Sequence, residues 1–135
     1  MKKVILLLAF VGCTLGISAQ MAGTLDTTFN HTGIFIEPAS IVGDNIFIEV
    51  QQDGKLVVAG STDMGTQIKF FVMRFNPDGT KDSSFGDAGA VVSAFNEKDH
   101  IVKDLFIHNN GKIVLAGHYS PANVGFIIRM NTDGT

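Results

Sequence analysis

The chain has 135 residues, of which 45% are hydrophobic and 17% charged, and its formal net charge is −3 at pH 7. Without Lys2 and Lys3, 8 basic and 13 acidic residues remain, a net charge of −5, and no basic cluster occurs anywhere. This argues against nucleic acid or an anionic membrane surface as a partner. Cys13 is the only cysteine, so no disulfide framework exists.

Residues 1–20 have the build of a secretory signal peptide. Lys2 and Lys3 form a positive start, and an apolar run of 14 residues leads to the small residues of Ser18-Ala19-Gln20. That run is short for a membrane span, which needs roughly 20 residues. We therefore expect cleavage near Ala19 or Gln20, a secreted or cell-surface location, and no membrane insertion of the mature chain. An uncleaved anchor is the alternative.

Cys13 opens a further alternative for the same segment. The stretch from Phe10 to Cys13 loosely resembles the lipobox at which bacteria attach lipid to a mature N-terminal cysteine. Phe10 stands where a smaller aliphatic residue is usual, and more apolar sequence follows Cys13. Lipid attachment at Cys13 is thus left open.

Short β-rich runs separated by turn residues follow this leader. The first four are Gly33–Ile36, Ile46–Val50, Lys55–Ala59 and Lys69–Phe75. Gly54 lies in the turn before the third run and is predicted to supply the positive φ of a hairpin. Asn76 to Gly79 closes the fourth run as a turn. Outside the leader, no stretch has helical periodicity.

The same phrases recur along the chain. Three of them return in the same order: Gly23–Asp26 as Gly79–Asp82, Asp53–Gly60 as Asn110–Gly117, and Phe71–Thr80 as Phe126–Thr135. Their offsets of 56, 57 and 55 residues indicate a repeat of about 56 residues, present twice with a third just opening. We assign residues 1–20 to the signal peptide, 21–78 to the first repeat, 79–133 to the second and 134–135 to the start of a third.

The second repeat contains its own four β-rich runs. These are Gly89–Val92, Val102–His108, Lys112–Ala116 and Gly125–Met130. Leu56–Ala59 and Ile113–Ala116 are apolar at consecutive positions, which is typical of strands covered on both faces. We therefore predict an all-β protein of two four-stranded antiparallel meanders, stacked as blades of an incomplete β-propeller. Another stacked β-repeat or a twisted β-sandwich is the alternative.

Asn76–Gly89, together with Gln52–Gly60 and Phe71–Thr80, resembles the delta-60 repeat of bacterial surface and secreted proteins. The resemblance covers residues 22–135 and implies β-propeller-type repeats of about 55 residues. Asn30-His31 and Lys81 depart from the usual Gly-Asp and Leu of that repeat. The family is defined by architecture, so the resemblance implies no common enzyme activity.

Two blades do not close a propeller, which needs about four to eight. We expect open faces lined by Val57, Val58, Val114 and Leu115. One completion is that this is the N-terminal piece of a longer protein with further blades. The other is that several copies form one ring, with Gly134-Thr135 of one copy adjoining Gly23 of the next.

Three oxygen-bearing side chains after the fourth run resemble part of a calcium loop, namely Asn76, Asp78 and Asp82. Calcium needs six to eight oxygens and a late bidentate acid. The first repeat has Gln20 and Ala22 where Asn76 and Asp78 would stand. We therefore predict turn hydrogen bonds for these side chains, with no metal site and no cofactor.

The sequence contains no motif that pairs a nucleophile with a base, so we predict no catalytic residues and favour a non-enzymatic role. Asp26 and Asp82 recur at equivalent positions and are predicted to cap turns. Arg74 and Arg129 also recur, and each is predicted to pair with an acid of a neighbouring blade. The histidines are predicted to be ordinary loop residues, namely His31, His100, His108 and His118.

The favoured function is a scaffold or binding role outside the cytoplasm, with a protein or carbohydrate as the unknown ligand. The loops Ser61–Ile68 and His118–Val124 differ between the repeats while the strands do not, so we predict recognition there. The chain has no Trp and only Tyr119, which weakens a lectin function. One alternative is the N-terminal part of a secreted hydrolase or lyase with catalytic residues beyond residue 135. The other is a two-blade unit that assembles into a lectin-like ring.

Overall fold

The computed structural model describes residues 23–37, 46–93 and 95–135, and the regular structure in them is β-strand. The seven strands are β1 (Phe47–Val50), β2 (Leu56–Asp63), β3 (Ile68–Phe75), β4 (Ala90–Ser93), β5 (Asp99–Ile107), β6 (Ile113–Ser120) and β7 (Val124–Met130). They form two antiparallel meanders, sheet A in the order β1-β2-β3-β4 and sheet B in the order β5-β6-β7. The predicted all-β fold is confirmed. The predicted signal peptide and Cys13 lie outside the described residues, which include no helix long and apolar enough to cross a membrane.

The recurring glycines close equivalent turns in the two sheets. Gly54 has a φ of +81° and donates its N–H to the Gln51 carbonyl at 2.9 Å, which confirms the predicted positive φ. Gly79, Gly111 and Gly134 lie in three further turns, with φ values of +79°, +78° and +91°. A side chain is strained in this region of backbone space, so these glycines favour the tight hairpins that the repeat requires.

The main core lies between the two sheets. Successive side chains of a strand point to opposite faces, and one face of sheet A is covered by sheet B. The buried residues of this interface are Val57, Ala59, Phe70, Val72 and Phe85 on one side and Val102, Leu105, Ile113, Leu115 and Met130 on the other. The Val102 N–H also donates to the Ser61 hydroxyl at 2.9 Å, so a hydrogen bond joins the sheets within the apolar contact.

Each sheet also has an outer face that the other sheet leaves uncovered. On sheet A this face carries a second apolar cluster of Phe71, Met73 and Phe75. Phe35, which precedes β1, packs edge-on against Phe75 with ring centroids 4.6 Å apart. On sheet B, Phe106 and Ile127 are 55% and 78% exposed. The cluster on sheet A is itself buried, and the exposed apolar residues of that face are Ile48 and Val50 of β1. Exposed apolar residues on both outer faces mark surfaces that suit a further partner.

The predicted lining of the open faces is correct for two of its four residues. Val58 packs with the outer cluster of sheet A, and Val114 shares the outer face of sheet B with Phe106, its partner in the register of β5 and β6. Val57 and Leu115 are instead fully buried between the sheets. Consecutive strand residues face opposite ways, so one residue of each pair points toward the other sheet.

Two predicted strands differ in the structure. Gly33–Ile36 forms no strand. Gly89–Val92, predicted to open the second repeat, contributes to β4 of sheet A, where Val91 pairs with Val72. Among the described residues sheet B therefore has three strands instead of the predicted four.

The segment between β3 and β4 explains this difference. It forms a compact turn in which the Phe85 N–H donates to the Asp82 carbonyl at 3.0 Å and the Gly89 N–H donates to the Phe85 carbonyl at 2.8 Å. The turn brings the chain back to β3, where the Arg74 N–H donates to the Gly89 carbonyl at 3.0 Å. A strand that begins at Ala90 is thereby paired with β3.

Candidate functional site

A buried carboxylate organises the polar part of the interface between the sheets. Asp82 is 5% exposed, and its Oδ2 accepts hydrogen bonds from Lys55 Nζ and Arg74 Nε, both at 2.7 Å. Its Oδ1 accepts the backbone N–H and the hydroxyl of Ser84, at 3.1 Å and 2.6 Å. Both carboxylate oxygens are thus satisfied, and two cations compensate the buried charge.

Arg74 connects this cluster to sheet B. Its Nη1 donates to the Thr132 carbonyl in the turn after β7, and its guanidinium carbon lies 4.7 Å from the centroid of the Phe85 ring. The predicted pairing of Arg74 with an acid is confirmed. The acid, however, precedes β4 of the same sheet, whereas a neighbouring blade was predicted to supply it.

The environment of Asp82 strongly favours its ionised form. Burial disfavours the charge, but hydrogen bonds from Lys55 and Ser84 and the positive charge of Arg74 outweigh that effect. Together they hold the pKa of Asp82 well below its ordinary value. A carboxylate locked into this state can fix neighbouring segments, but it is a poor proton donor or acceptor near neutral pH.

The turn that contains Asp26 repeats this local geometry without the cations. Asp26 Oδ1 accepts the backbone N–H and the hydroxyl of Thr28 at 3.0 Å and 2.6 Å, as Asp82 does from Ser84. These two hydrogen bonds lower the pKa of Asp26. The predicted turn-capping role of both aspartates is confirmed.

The side chains considered for calcium are engaged in hydrogen bonds. Asn76 Nδ2 donates to the Thr80 hydroxyl at 3.0 Å, and Asp78 Oδ1 accepts the Thr80 N–H and hydroxyl at 3.0 Å and 2.7 Å. Asp82 faces Lys55 and Arg74, whose positive charges oppose a cation. In the part of the chain that the structure describes, no group of three or more His, Cys, Asp or Glu residues is placed to hold a metal ion.

Two of the four histidines contradict the prediction that all lie in loops, because His100 belongs to β5 and His118 to β6. His100 is fully buried, and neither of its ring nitrogens has a hydrogen-bond partner among the described residues. Aromatic rings surround it, namely Phe70, Phe95, Tyr119 and Phe126, with centroids 4.4 to 6.1 Å from its own. Burial in this cluster lowers its pKa.

The two variable loops lie at the same end of the sheets, which we call the loop end: the turns 64–67 and 121–123 with the connection 95–98. Gln67 Nε2 donates to the carbonyls of Asn96 and Lys98 at 2.7 Å and 2.6 Å. The Ile68 N–H donates to Asp99 Oδ1 at 2.8 Å, and Asp99 pairs with Ser120 at the end of β6. The loop end is therefore one continuous surface supported by both sheets.

The predicted loops are longer than the turns in the structure. Ser61 and Thr62 are buried members of β2, and Ser61 bonds the other sheet. His118 and Tyr119 belong to β6. The exposed parts that could contact a ligand are thus the tips, among which Met64 is 54% exposed.

The opposite end of the sheets carries a polar groove of about 390 Å³. It lies between the turn at Gln52 and the turn at Asn109, and Arg74 and Thr132 also line it. Each of these turns leads into a recurring segment, Asp53–Gly60 or Asn110–Gly117, and Arg74 and Thr132 lie in the other recurring pair, whereas the turns of the loop end lie outside the recurring segments.

Sequence reasoning missed Lys55 as a partner of Asp82. Lys55 recurs as Lys112, just as Arg74 recurs as Arg129. This shared recurrence is the sequence signal that could have identified Lys55. The burial of His100 had no such signal, because neighbours on several strands enclose it.

Two segments, residues 51–85 and 108–135, match the family model described as Domain of unknown function (DUF5122) beta-propeller. They start 57 residues apart, one repeat length, and both begin next to the turn between the first two strands of a sheet. No significant match was found among curated proteins or among solved structures. The two stacked meanders joined through the Asp82 cluster, together with the two matches to this family model, support a fold built from β-propeller-type repeats.

Proposed function

We propose that this chain is an exported scaffold of delta-60-type repeats that binds an extracellular protein or carbohydrate through its loop end. The observation that carries this proposal is the contrast between the two ends of the sheets. Turns that lead into recurring segments occupy one end, and the two stretches that differ between the repeats meet at the other. Variable loops on a rigid scaffold are the usual place for recognition.

The arrangement of charge and hydrogen bonds supports this assignment over catalysis. Asp82 is held ionised by two cations, and His100 is enclosed by aromatic rings. At the loop end, Lys98 Nζ lies 5.1 Å from the centroid of the Tyr119 ring, which gives that surface an aromatic residue and a cation side by side. Such pairs suit polar ligands that present both hydrogen-bond acceptors and apolar faces.

Export is tested by expressing the full chain in a bacterial host and fractionating the cells. We expect a mature protein in the periplasm, the medium or the cell surface, with its N-terminus near residue 20 by intact mass and N-terminal sequencing. A matched variant with Lys2 and Lys3 replaced by Glu should accumulate uncleaved. Full-length protein in the cytoplasm of both strains would contradict the proposal.

Binding is tested with residues 21–135 on an array of immobilised oligosaccharides and on extracellular proteins of the source cells. The loop variant combines Met64→Ser, Thr66→Ala and Asn123→Gly, since glycine tolerates the +52° φ of Asn123. The control variant carries Gln52→Ala and Asn109→Ala at the opposite end. We expect the loop variant alone to lose about tenfold or more in affinity. Equal binding by the loop variant would contradict recognition at the loop end.

A further inference from the structure

When the two repeats are aligned, the outer face of sheet B corresponds to the face that sheet A buries. The outer face of sheet A likewise corresponds to the face that sheet B buries. Val72 of sheet A is fully buried against sheet B, and it pairs with Ala59. Its equivalent in the second repeat is Ile127, which pairs with Ala116 in the same register and is 78% exposed. The outer face of sheet B therefore has the form of the face that sheet A buries.

The reverse holds for the outer face of sheet A. There, Val58 pairs with Met73 beside the outer apolar cluster. Their equivalents are Leu115 and Ile128, a pair in the same register that packs toward sheet A. One chain thus carries, on opposite sides, two faces whose residues correspond to the two sides of its own buried interface.

The charged residues of the two sheets also correspond to one another. Lys55, Arg74 and Asp82 form a complete set inside the chain. Their cationic equivalents on sheet B are Lys112 and Arg129, and no ion pair among the described residues involves either of them. Lys112 Nζ donates to Asn131 Oδ1 at 3.2 Å. By equivalence with Lys55 and Arg74, the two side chains mark a positive site that lacks a carboxylate in the described part of the chain.

The carboxylate that would complete this site has its repeat equivalent on the other side of the molecule. Asp26 is the repeat equivalent of Asp82, and the ion pairs of the described residues do not include it. Its turn already has the required conformation. The Phe29 N–H donates to the Asp26 carbonyl at 3.1 Å and the Gly33 N–H to the Phe29 carbonyl at 2.7 Å, matching the turn at Asp82.

The segment also packs against sheet A as its equivalent packs against sheet B. The Asn30 N–H donates to the Asp78 carbonyl at 2.6 Å, and the Gly86 N–H donates to the Asp133 carbonyl at 2.9 Å. The chain from Gly23 to Glu37 therefore lies where the outermost strand of a preceding blade would lie. Within the described residues it pairs with no strand, and the outer edge of β7 is likewise unpaired.

We propose that the Gly23–Glu37 segment of a second copy of this chain docks on sheet B. Asp26 of the second copy binds Lys112 and Arg129, and residues 34–36 pair with the outer edge of β7. The outer face of sheet A in the second copy then covers the outer face of sheet B. Such a contact is heterologous, so it links copies head to tail. This proposal is independent of the ligand proposed above.

Charge variants of residues 21–135 test the contact by sedimentation velocity over a range of concentrations. Asp26→Arg and Arg129→Asp should each weaken self-association at least about tenfold, because like charges then meet across the contact. Glu97→Arg and Lys98→Asp impose the same charge changes at the loop end and should associate like the wild type. Circular dichroism checks that all four variants are folded.

Mixing the two charge variants tests whether Asp26 of one copy meets Lys112 and Arg129 of another. The Asp26→Arg variant keeps an intact Lys112 and Arg129 site, and the Arg129→Asp variant keeps an intact Asp26 turn. We expect the equimolar mixture to regain association that neither variant has alone. A mixture that stays monomeric would contradict the proposal.

Cysteine cross-linking tests the register, since residues 21–135 contain no cysteine. In sheet A, Val72 pairs with Val91, and the equivalent residues of the proposed contact are Ile127 and Phe35. We expect Ile127→Cys and Phe35→Cys proteins to form a disulfide-linked dimer on mixing under mild oxidation. Phe106→Cys is the control, because it lies on the same face two strands away, roughly 10 Å from β7.

Three results would overturn the proposal. One is a wild-type chain that stays monomeric at the highest concentration reached. Another is self-association that Asp26→Arg and Arg129→Asp leave unchanged, which would indicate unspecific contact of the apolar faces. The third is cross-linking of Phe35→Cys to Phe106→Cys as efficiently as to Ile127→Cys.

Discussion

Asp82 is the residue on which the polar part of the interface depends. Replacing it with Asn removes the charge that balances Lys55 and Arg74, and a buried cation left without its partner is costly. We expect Asp82→Asn to lower the free energy of unfolding by about 3 kcal/mol at pH 7, measured by urea denaturation. Asp26→Asn is the matched control, since that turn has no cation beside it, and its loss should be much smaller. Equal losses would show that the ion pairs contribute nothing.

The same carboxylate predicts how stability depends on acid. Its pKa is lowered in the folded state, so the stabilisation is complete above the unfolded value of about 3.9 and is lost as the pH falls below it. We expect the wild type to lose stability steeply below about pH 4 and Asp82→Asn to lose less over that range. Denaturation curves at several pH values check this, and parallel pH profiles would contradict it.

Two glycines in neighbouring strands offer a second comparison at the scale of single residues. A Cβ on Gly117 would overlap the Ile101 carbonyl oxygen and lie 2.6 Å from the Phe126 ring, whereas a Cβ on Gly125 would have its nearest atom 3.8 Å away. We expect Gly117→Ala to destabilise the protein by about 2 kcal/mol or more, because backbone has to move. Gly125→Ala should be neutral or stabilise by about 0.5 kcal/mol. Thermal unfolding of both variants measures the difference, and similar effects would contradict the close contact.

At the scale of elements, β5 brings a titratable ring into the aromatic cluster. Burial lowers the pKa of the His100 imidazole. The negative charge of Asp99, which follows Lys98 and directly precedes His100, favours the protonated ring, but burial outweighs it. The unfolded chain therefore takes up a proton near pH 6.5 while the folded state stays neutral, so stability falls as the pH drops below about 6.5. This loss occurs at higher pH than the one caused by Asp82.

Replacing His100 with Phe should remove that loss, since the ring keeps its apolar contacts and carries no proton. We expect His100→Phe to have the same stability at pH 7.5 and at pH 5.5, whereas the wild type is less stable at pH 5.5. His108→Asn, in an exposed turn, controls for the removal of a histidine. Chemical denaturation at the two pH values decides, and an unchanged pH dependence in His100→Phe would contradict the prediction.

At the scale of the whole molecule, the interface between the sheets makes them one cooperative unit. Ile113 is fully buried there, and Ile127 on the outer face is 78% exposed. We expect Ile113→Ala to cost about 2–5 kcal/mol and Ile127→Ala less than about 0.5 kcal/mol in the monomer. Tyr119 fluorescence reports on sheet B, and hydrogen exchange in β2 reports on sheet A. Ile113→Ala should weaken both signals together, and separate transitions would contradict a single unit.

Much of the architecture was predictable from the sequence because it depends on local chemistry repeated at a fixed interval. The Asn/Asp-Gly turns, the apolar runs and the 56-residue offset indicate stacked antiparallel meanders. Gly54 adopts the predicted positive φ because few other residues tolerate it. The turn-capping roles of Asp26 and Asp82 followed for the same reason, since each bonds a hydroxyl two residues away.

Only the tertiary structure decided where one sheet ends and the next begins. A repeat has the same period wherever its start is placed, so the sequence determined the spacing of the strands but not that Ala90–Ser93 pairs with β3. The sequence pattern also could not show that Val57 lies in the interface and Val58 on the outer face. Nor could it show that rings from distant strands surround His100. Periodicity along the chain records which residues are apolar. Which neighbour covers each of them depends on how the compact turn at Asp82 returns the chain to β3 and how the second sheet then packs.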